Sequence, residues 1–380
     1  MTVKVNAFKT LLFSFIIIYF LLPKSLEFNY NGIYQEVGNY LGPWYFQRML
    51  LTVILSIFIV LNLKNIEMKV SNVLYLITIT GISVIQIFFG EYTSFYVVIG
   101  ILSALILSRM EYVNFSSIEI KFIKVIFLVY PIQYFLFRIH GRLTGSFLDP
   151  NISGYYLFLT YIFFRNYNNN IVSLIILSLG IFSFSRNFIL AVVIFEILSL
   201  KFIKNLLSRF RFFLQMHLIV LLSIIFIFLV SSYYVNHVSY TQVTGGYERI
   251  MNIADSSNYS RFSANLDFVN RILQGDFLVM GNGTTMDEQS HHRPHNAFFR
   301  AMYRYGFIVG LIAILIFNEI MNKYVKNNFE IIGALMAYYM LLNDFITGNE
   351  LILTLLILLL IVNKKSFKNP RVKEVGSLSS

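Results

Sequence analysis

The sequence predicts an all-α, polytopic membrane protein with about twelve transmembrane helices, and two observations support this class. The first is composition: 57% of the 380 residues are hydrophobic and 13% are charged, against about 25% charged residues in a typical soluble domain. The second is that apolar residues form continuous blocks, such as Leu11 to Leu22 and Val73 to Phe89. A membrane β-barrel would instead alternate apolar and polar residues in segments of about 10. Continuous blocks therefore favour helices.

The apolar blocks place the candidate helices along the chain, and each block ends where charged residues, polar residues or proline gather. The predicted helices span residues 8–22, 48–63, 71–89, 92–108, 120–138, 152–164, 171–185, 188–200, 213–231, 297–317, 330–343 and 350–363. The first is interpreted as a retained helix, because the segment after it lacks the cleavage site of a signal peptide. The seventh and eighth are short and meet at Ser185-Arg186-Asn187, so one bent hairpin is an alternative to two spans.

Two predicted loops are long, and the larger is expected to contain a helix. Residues 23–47 are polar and aromatic, and residues 232–296 form a segment of about 65 residues, too long to be structureless. In the second loop, apolar residues recur at helical spacing, namely Phe262, Leu266, Val269, Ile272 and Leu273. With Arg261, Asn265 and Arg271 on other faces, the pattern predicts an amphipathic helix at the membrane surface. The chain is interpreted as one membrane domain, 1–380, with the large, partly helical loop 232–296 inside it.

The placement of charge predicts the orientation of the helices. Twelve spans would put both termini on one side, and the loops on that side carry 19 Lys and Arg residues, against 11 opposite. The positive-inside rule therefore places both termini in the cytoplasm and the 232–296 loop outside. The net charge of +11 is scattered between apolar blocks, which fits membrane topology better than nucleic-acid binding.

The two sides also differ in the type of cation. Fourteen of the 19 inner cations are lysine, whereas 10 of the 11 outer cations are arginine. Arginine presents a planar fork of donors suited to phosphate or carboxylate oxygens, so one interpretation is an anionic ligand on the outer side. The alternative is that these arginines contact lipid headgroups or pair with the 12 of 19 acidic residues that share their side.

Three of the six histidines fall in the segment His291-His292-Arg293-Pro294-His295-Asn296. Proline disfavours helix at the preceding residue, so the next helix is expected to begin around His295, with its imidazole facing the loop. An imidazole accepts a proton near neutral pH, which makes His295 a candidate for catalysis or substrate contact, ahead of His291 and His292. The alternatives are a metal site or a solvated cluster. No metal is predicted, because a third or fourth ligand at suitable spacing is not evident.

Two arginines are further candidates for ligand binding. Arg186 lies between two short apolar segments, where a charge at membrane depth is costly unless it is paired. The alternative for Arg186 is a structural salt bridge. Arg261 begins the predicted loop helix and would be unremarkable alone.

Other polar segments are weaker candidates. In the stretch from Arg142 to Asn151, which enters the sixth helix, Asp149 is either a helix cap or a carboxylate that contacts substrate. Asp344 and Glu350 bracket the last outer turn. Gly281-Asn282-Gly283 is predicted to be a turn, and a nucleotide-binding loop is rejected because no strand precedes it and no helix follows closely. The chain has no cysteine, which excludes disulfides and thiolate chemistry, and no cofactor is expected.

Four patterns occur in order between residues 145 and 310. They are Gly145-Ser146-Phe147-Leu148-Asp149-Pro150-Asn151, the pair Ser185-Arg186, the helix from Arg261 that leads to Gly281-Asn282-Gly283, and His295-Asn296 followed by Gly306-Phe307-Ile308-Val309-Gly310. In this order they resemble the O-antigen polymerase and O-antigen ligase superfamily of the bacterial envelope. Family members often have an acidic residue shortly before the first glycine of the last pattern. Here Tyr303-Arg304-Tyr305 stands in that place, so a role for that acid is not carried over to this chain.

The resemblance implies a GT-C-like glycosyltransferase that takes its glycan from an undecaprenyl-pyrophosphate-linked donor at the periplasmic face of the bacterial inner membrane, without a metal. By similarity, Arg186 and Arg261 would bind the pyrophosphate, and His295 would orient or deprotonate the acceptor hydroxyl. Weaker candidates for substrate binding are Arg142, Asp149, Asn151, Asn296 and Arg300. The expected partners are the lipid-linked oligosaccharide, membrane lipid and, as a candidate, a chain-length regulator protein, with no nucleic acid.

Three functions stay open at this point. The favoured one is a polymerase that joins lipid-linked repeat units in the biosynthesis of O-antigen or another surface polysaccharide. A ligase that transfers glycan to the lipid A core of lipopolysaccharide shares the machinery and differs in the acceptor. A flippase for the lipid-linked unit would need charged residues along a central path and two related halves, whereas here the charges lie mostly at the helix ends and the halves are unlike.

Overall fold

The structure is a computed structural model and is almost entirely helical. It describes residues 5–22, 43–62, 68–90, 93–110, 113, 115–136, 138–139, 142–143, 150–209, 215–239, 252, 254–282, 294–325, 327–341 and 348–368. The helices are α1 (Val5–Phe20), α2 (Pro43–Asn62), α3 (Val70–Phe88), α4 (Thr93–Ser108), α5 (Ser117–Val129), α6 (Ile132–Leu136), α7 (Pro150–Asn166), α8 (Asn170–Phe182), α9 (Arg186–Ser199), α10 (Lys201–Arg209), α11 (Met216–His237), α12 (Ser256–Leu273), α13 (Ala297–Tyr305), α14 (Phe307–Val325), α15 (Phe329–Leu341) and α16 (Gly348–Lys368). Between α6 and α7, β1 (Arg138–Ile139) and β2 (Arg142–Leu143) pair antiparallel, with Ile139 opposite Arg142. Apart from this short hairpin, the predicted helical class is confirmed over the described residues.

Three of the described helices are long and apolar enough to cross a membrane, namely α3, α11 and α14. Six further apolar helices of 10–17 residues are Val5–Phe20, Met49–Asn62, Phe95–Ser108, Asn170–Phe182, Phe329–Leu341 and Gly348–Val362. These helices are consistent with a membrane protein. The total of twelve spans and the GT-C-like arrangement stay predictions.

The exposed faces of α3 and α11 indicate the solvent that surrounds them. On α3, the polar residues Asn72, Ser83 and Gln86 are buried, whereas Leu74 and Ile77 are exposed. On α11, buried residues recur every three or four positions, at Met216, Val220, Ser223, Ile227, Ser231 and Tyr234. The faces between them expose Leu221, Leu222, Ile225, Phe226 and Leu229. Large contiguous apolar surfaces mark contact with membrane or protein, and this distribution fits helices whose outer faces lie against lipid.

Two predicted helices are interrupted. The helix predicted at 120–138 divides into α5 and α6 around Pro131, which lacks the N–H needed to continue the helix. The helix predicted at 297–317 divides into α13 and α14 at Gly306, whose φ of +89° lies in the left-handed region that favours glycine. The chain folds back at Gly306, and α13 and α14 then pack closely. A Cβ at Gly310 would lie 2.5 Å from the Cα of Met302. The prediction of one continuous helix over 297–317 was therefore wrong.

The predicted seventh and eighth helices are two helices, α8 and α9, with a turn between them in which Phe184 has a φ of +51°. α10 lies in a segment that was predicted to be a loop. The predicted helix at 213–231 continues to His237 as α11, so the adjoining loop is shorter than expected.

The core joins helices that are distant in sequence. α9 packs along α15, α4 along α16, and α11 along α12. Some of the buried tyrosine hydroxyls are hydrogen-bonded: the Tyr130 and Tyr134 hydroxyls lie 2.7 Å apart, and Tyr134 donates to the carbonyl oxygen of Ser153 at 2.8 Å. The Tyr155 hydroxyl is hydrogen-bonded to that of Thr354 in α16. Such pairing lowers the cost of placing polar groups in an apolar interior.

Candidate functional site

A cavity of about 440 Å³ lies where α9, α11, α12 and α15 meet. Its polar lining consists of Arg186, Asn187, Asn258, Arg261, Asn265 and His295. Three residues that were predicted as site residues from separate parts of the sequence, Arg186, Arg261 and His295, therefore line one cavity. Two guanidinium groups and an imidazole facing a shared space form an arrangement suited to an anionic ligand that undergoes proton transfer.

Arg186, the first residue of α9, is held by a carboxylate. Its Nη2 donates to Oδ2 of Asp255 at 2.7 Å and to Oδ1 of Asn258 at 3.2 Å, and its Nη1 donates to the carbonyl oxygen of Asn252 at 3.2 Å. The Asp255 side chain is 2% exposed and that of Arg186 is 24% exposed. The structural salt bridge, which was the alternative to ligand binding as an interpretation of Arg186, is thus present. A guanidinium has five N–H donors, so Arg186 has further donors in addition to those that make these bonds.

Asp255 also begins α12. Its Oδ1 accepts the backbone N–H of Asn258 at 2.7 Å and caps the helix, while its Oδ2 accepts from Arg186. One buried carboxylate therefore joins the start of α9 to the start of α12. Because Arg261 is six residues further along the chain, this contact also sets where Arg261 lies relative to Arg186.

The face that α12 turns to the cavity carries Asn258, Arg261, Phe262 and Asn265, at the i, i+3, i+4, i+7 spacing of one helical face. Arg261, Asn265 and Arg271 were predicted to lie on faces other than the apolar one, and this prediction was wrong for Asn265. Asn265 is buried together with Ala264 and Phe268, whereas Leu273 is exposed.

His295 lies two residues before the first residue of α13, which was predicted to begin around His295. Asn296 is the N-cap, and its Oδ1 accepts the N–H groups of Phe298 and Phe299 at 2.9 and 3.1 Å. The backbone N–H of His295 donates to Oδ1 of Asn265 at 3.2 Å. This bond ties the histidine to α12, so the two elements that carry Arg261 and His295 are joined.

The remaining lining is apolar. It consists of Ile189, Leu190 and Val193 of α9, Ile227 of α11, Phe262 of α12, and Met340 and Leu341 of α15. Leu190 and Val193 are also exposed on the outer face of α9. The cavity therefore has a polar end, at the starts of α9 and α12, and an apolar wall that extends toward the outer face of the bundle.

Two of the sequence patterns meet beside the cavity. Oγ of Ser185 caps α9 and lies 3.4 Å from Oδ1 of Asn151, near the start of α7. A Cβ at Gly154 would approach Oγ of Ser185 to 2.9 Å, so glycine is what allows α7 to lie this close. Asn151 therefore contacts Ser185, the residue that precedes Arg186, and does not itself line the cavity.

The other candidates are placed differently. Arg300 is buried in α13 with its guanidinium 5.7 Å from the Tyr303 ring centre, and neither it nor Asn296 lines the cavity. Glu350 lies in the first turn of α16. Asp149, His291, His292, Gly283 and Asp344 fall outside the described residues, and for Arg142 only the backbone is described. Within the part of the chain that the structure describes, no three His, Asp or Glu side chains are grouped to hold a metal ion.

The Gly281-Asn282 segment packs on the turn at Gly306 and not on the cavity. The backbone N–H of Asn282 donates to the carbonyl oxygen of Tyr303 at 2.8 Å, and Gln86 of α3 donates to the carbonyl oxygens of Val279 and Tyr305. A Cβ at Gly281 would lie 2.2 Å from the carbonyl oxygen of Arg304. The predicted turn thus brings the end of the α12 segment against the α13–α14 junction.

Asp255, Asn258 and Asn265 were not predicted as site residues. Asp255 precedes Ser256-Ser257-Asn258, a sequence typical of a helix N-cap, and that signal would have placed the start of α12. The pairing of its second oxygen with Arg186 depends on tertiary structure and has no local signal.

No family model, curated protein or solved structure matches this chain.

Proposed function

We propose that this protein is a polymerase of lipid-linked glycan repeat units, a metal-independent inverting glycosyltransferase whose donor carries undecaprenyl pyrophosphate. The observation that supports the proposal most directly is the single cavity lined by Arg186, Arg261 and His295. The proposal includes about twelve spans in a bacterial inner membrane, both termini in the cytoplasm and a periplasmic cavity, as the charge distribution predicts.

The polar end of the cavity suits a diphosphate leaving group. As the glycosidic bond breaks, negative charge accumulates on the diphosphate oxygens, and preorganised donors stabilise that charge in the transition state. Asp255 fixes the Arg186 guanidinium, so Arg186 needs little rearrangement to use its other N–H groups. Arg261 supplies a second fork of donors from the facing helix.

His295 supplies the proton acceptor in this proposal. The acceptor sugar hydroxyl gives its proton to the imidazole while its oxygen forms a bond to the anomeric carbon of the donor. The bond from that carbon to the diphosphate oxygen breaks, its electron pair leaves with undecaprenyl pyrophosphate, and the anomeric configuration inverts. Hydrogen bonding of the His295 backbone to Asn265 keeps the residue at the cavity wall.

The apolar wall suits the polyprenyl chain. Ile189, Leu190 and Val193 continue from the arginine end toward the exposed surface of α9. A lipid whose diphosphate lies at the arginines could therefore place its hydrocarbon along α9 without burying it in polar surroundings.

Purified protein and a synthetic undecaprenyl-pyrophosphate repeat unit, incubated with a chelator, test this function. A polymerase gives a ladder of longer lipid-linked glycans. Product on added lipid A core, with no ladder, would identify a ligase. Movement of the lipid-linked unit across a vesicle membrane, without any new glycosidic bond, would identify a transporter and refute glycosyl transfer.

The His295→Ala variant tests the role of the imidazole. We expect the rate of ladder formation to fall by about 10²–10⁴-fold, the usual contribution of a positioned acid or base. The matched control is His237→Ala, at an exposed histidine on the last turn of α11, which should polymerise at the wild-type rate. Equal rates in the two variants would remove His295 from the mechanism.

A further inference from the structure

We propose that α10 is an interfacial helix that binds the headgroup layer of anionic phospholipid. This inference concerns the end of α9 that is remote from the cavity and does not depend on glycosyl transfer. It rests on the exposure, charge and placement of the residues of α10.

The position of α10 follows from its neighbours. α9 begins at Arg186 in the cavity and ends at Ser199, after which Leu200 adopts an extended conformation with φ −60° and ψ 132° and turns the chain. α10 then returns against the body of the protein, where Nζ of Lys204 lies 3.1 Å from Oε1 of Glu330 in the first turn of α15. The helix therefore lies across the ends of α9 and α15 and does not extend α9.

α10 presents two different exposed stripes. Phe202 and Leu206, one helical turn apart, are 77% and 43% exposed. Lys201 and Arg209 are exposed on the neighbouring stripe, while Leu207 packs partly against the core. One side thus faces protein, one offers apolar side chains and one offers cations.

The boundary layer of a membrane accommodates both stripes. Water disfavours the exposed Phe202 and Leu206, and hydrocarbon disfavours Lys201 and Arg209. At the boundary between headgroups and acyl chains, the apolar side chains enter the hydrocarbon while the cations reach phosphate. The apolar outer face of α9, which exposes Leu190, Val193 and Ile197, continues through Leu200 to this helix. The lipid-facing surface and the cationic stripe are therefore contiguous.

The charge of the stripe selects the headgroup. Zwitterionic headgroups carry no net charge, whereas anionic headgroups attract Lys and Arg near the surface, by about fivefold in binding for each cation. Lys204 is already paired with Glu330, so Lys201 and Arg209 are the α10 cations expected to carry this preference.

Quenching by brominated lipid tests the proposal in the full chain. The single tryptophan is replaced by Trp44→Phe, and Phe202→Trp places a reporter on α10. The protein is reconstituted in one mixture of phosphatidylcholine and phosphatidylglycerol, with bromine carried at equal mole fraction by one lipid or the other. A second reporter, Phe226→Trp on the exposed face of α11, serves as the lipid-facing control.

We expect the α10 reporter to be quenched several-fold more by brominated phosphatidylglycerol, and the α11 reporter to be quenched equally by both lipids. Lys201→Gln with Arg209→Gln should abolish the preference, and the charge-conserving Lys201→Arg with Arg209→Lys should retain it. Equal quenching of the α10 reporter by the two lipids would overturn the proposal. Quenching by neither, with the α11 reporter quenched, would also overturn it and would place α10 against water or a soluble acidic protein.

Discussion

At the scale of residues, Asp255 connects the parts of the cavity. Its two carboxylate oxygens have separate partners: one accepts the N–H of Asn258 and caps α12, and the other pairs with Arg186. A carboxylate that is 2% exposed would be costly without such partners. The ion pair therefore preorganises Arg186 in addition to supporting the fold.

The Asp255→Asn variant separates charge from capping. An asparagine oxygen still caps the helix, but Arg186 loses its counter-ion. We expect the free energy of unfolding to fall by about 1–3 kcal/mol, the cost of losing a hydrogen bond to a charged group, together with a loss of glycan transfer. Thermal unfolding in detergent and the ladder assay measure the two effects. Asp267→Asn, at an exposed position on the same helix, is the control and should change neither. Unchanged melting and activity in Asp255→Asn would contradict this role.

Arg261 and Arg271 form a matched pair on α12. Arg261 lines the cavity, whereas Arg271 pairs with Asp276 at 3.0 Å and lies over the ring of Phe277. We expect Arg261→Gln to lower the transfer rate by about 10²-fold or more, as removal of one preorganised donor group does, and Arg271→Gln to leave it near the wild-type value. Initial rates of glycan transfer, measured at saturating donor, test this difference between the two variants. Similar rates in both variants would show that Arg261 does not stabilise the leaving group.

At the scale of elements, periodicity predicted that α12 exists but not which face is buried. The pattern of Phe262, Leu266, Val269, Ile272 and Leu273 predicts one apolar face that lies at the membrane surface. The helix also buries the polar Asn265 beside the cavity, and it leaves Leu273 exposed. The division of the predicted 297–317 helix had a visible signal in Gly306. The helix divides there because of tertiary packing: Gly306 and Gly310 allow α13 to fold back on α14.

Substitution of glycine by alanine is expected to have opposite effects in two helices. At Gly310 a Cβ would lie 2.5 Å from the Cα of Met302, so backbone must move, and overpacking of this kind costs about 1–3 kcal/mol. At Gly81 in α3 no atom lies within 4 Å of the added Cβ, and alanine in a helix interior is favoured by about 0.5–1 kcal/mol. We therefore expect Gly310→Ala to lower the melting temperature and Gly81→Ala to hold or raise it. A Gly310→Ala variant as stable as Gly81→Ala would contradict the close packing of α13 on α14.

At the scale of the whole molecule, composition predicted helices in a membrane, and the exposed faces of α3 and α11 fit that environment. The sequence marked Arg186, Arg261 and His295 as candidates, but local patterns carry no distances, and the fold brings the three residues to one cavity. The ion pair of Arg186 with Asp255 and the placement of α10 could not be predicted. Both depend on which helices pack together, and hydropathy does not specify that.

Two exposed leucines test whether lipid surrounds the bundle. Leu222 is 55% exposed on α11, between buried Val220 and Ser223, and Leu273 is 81% exposed at the end of α12. If water surrounded both, arginine at either position would be tolerated. In a bilayer, an arginine inside a spanning helix is costly, up to about 2.5–3.5 kcal/mol at the helix centre on insertion scales, whereas one at the end of a surface helix reaches the headgroups. We expect Leu222→Arg to reduce the carbonate-resistant, membrane-inserted fraction and the melting temperature, and Leu273→Arg to leave both near wild type. Equal tolerance of the two substitutions would show that the outer face of α11 does not lie against lipid.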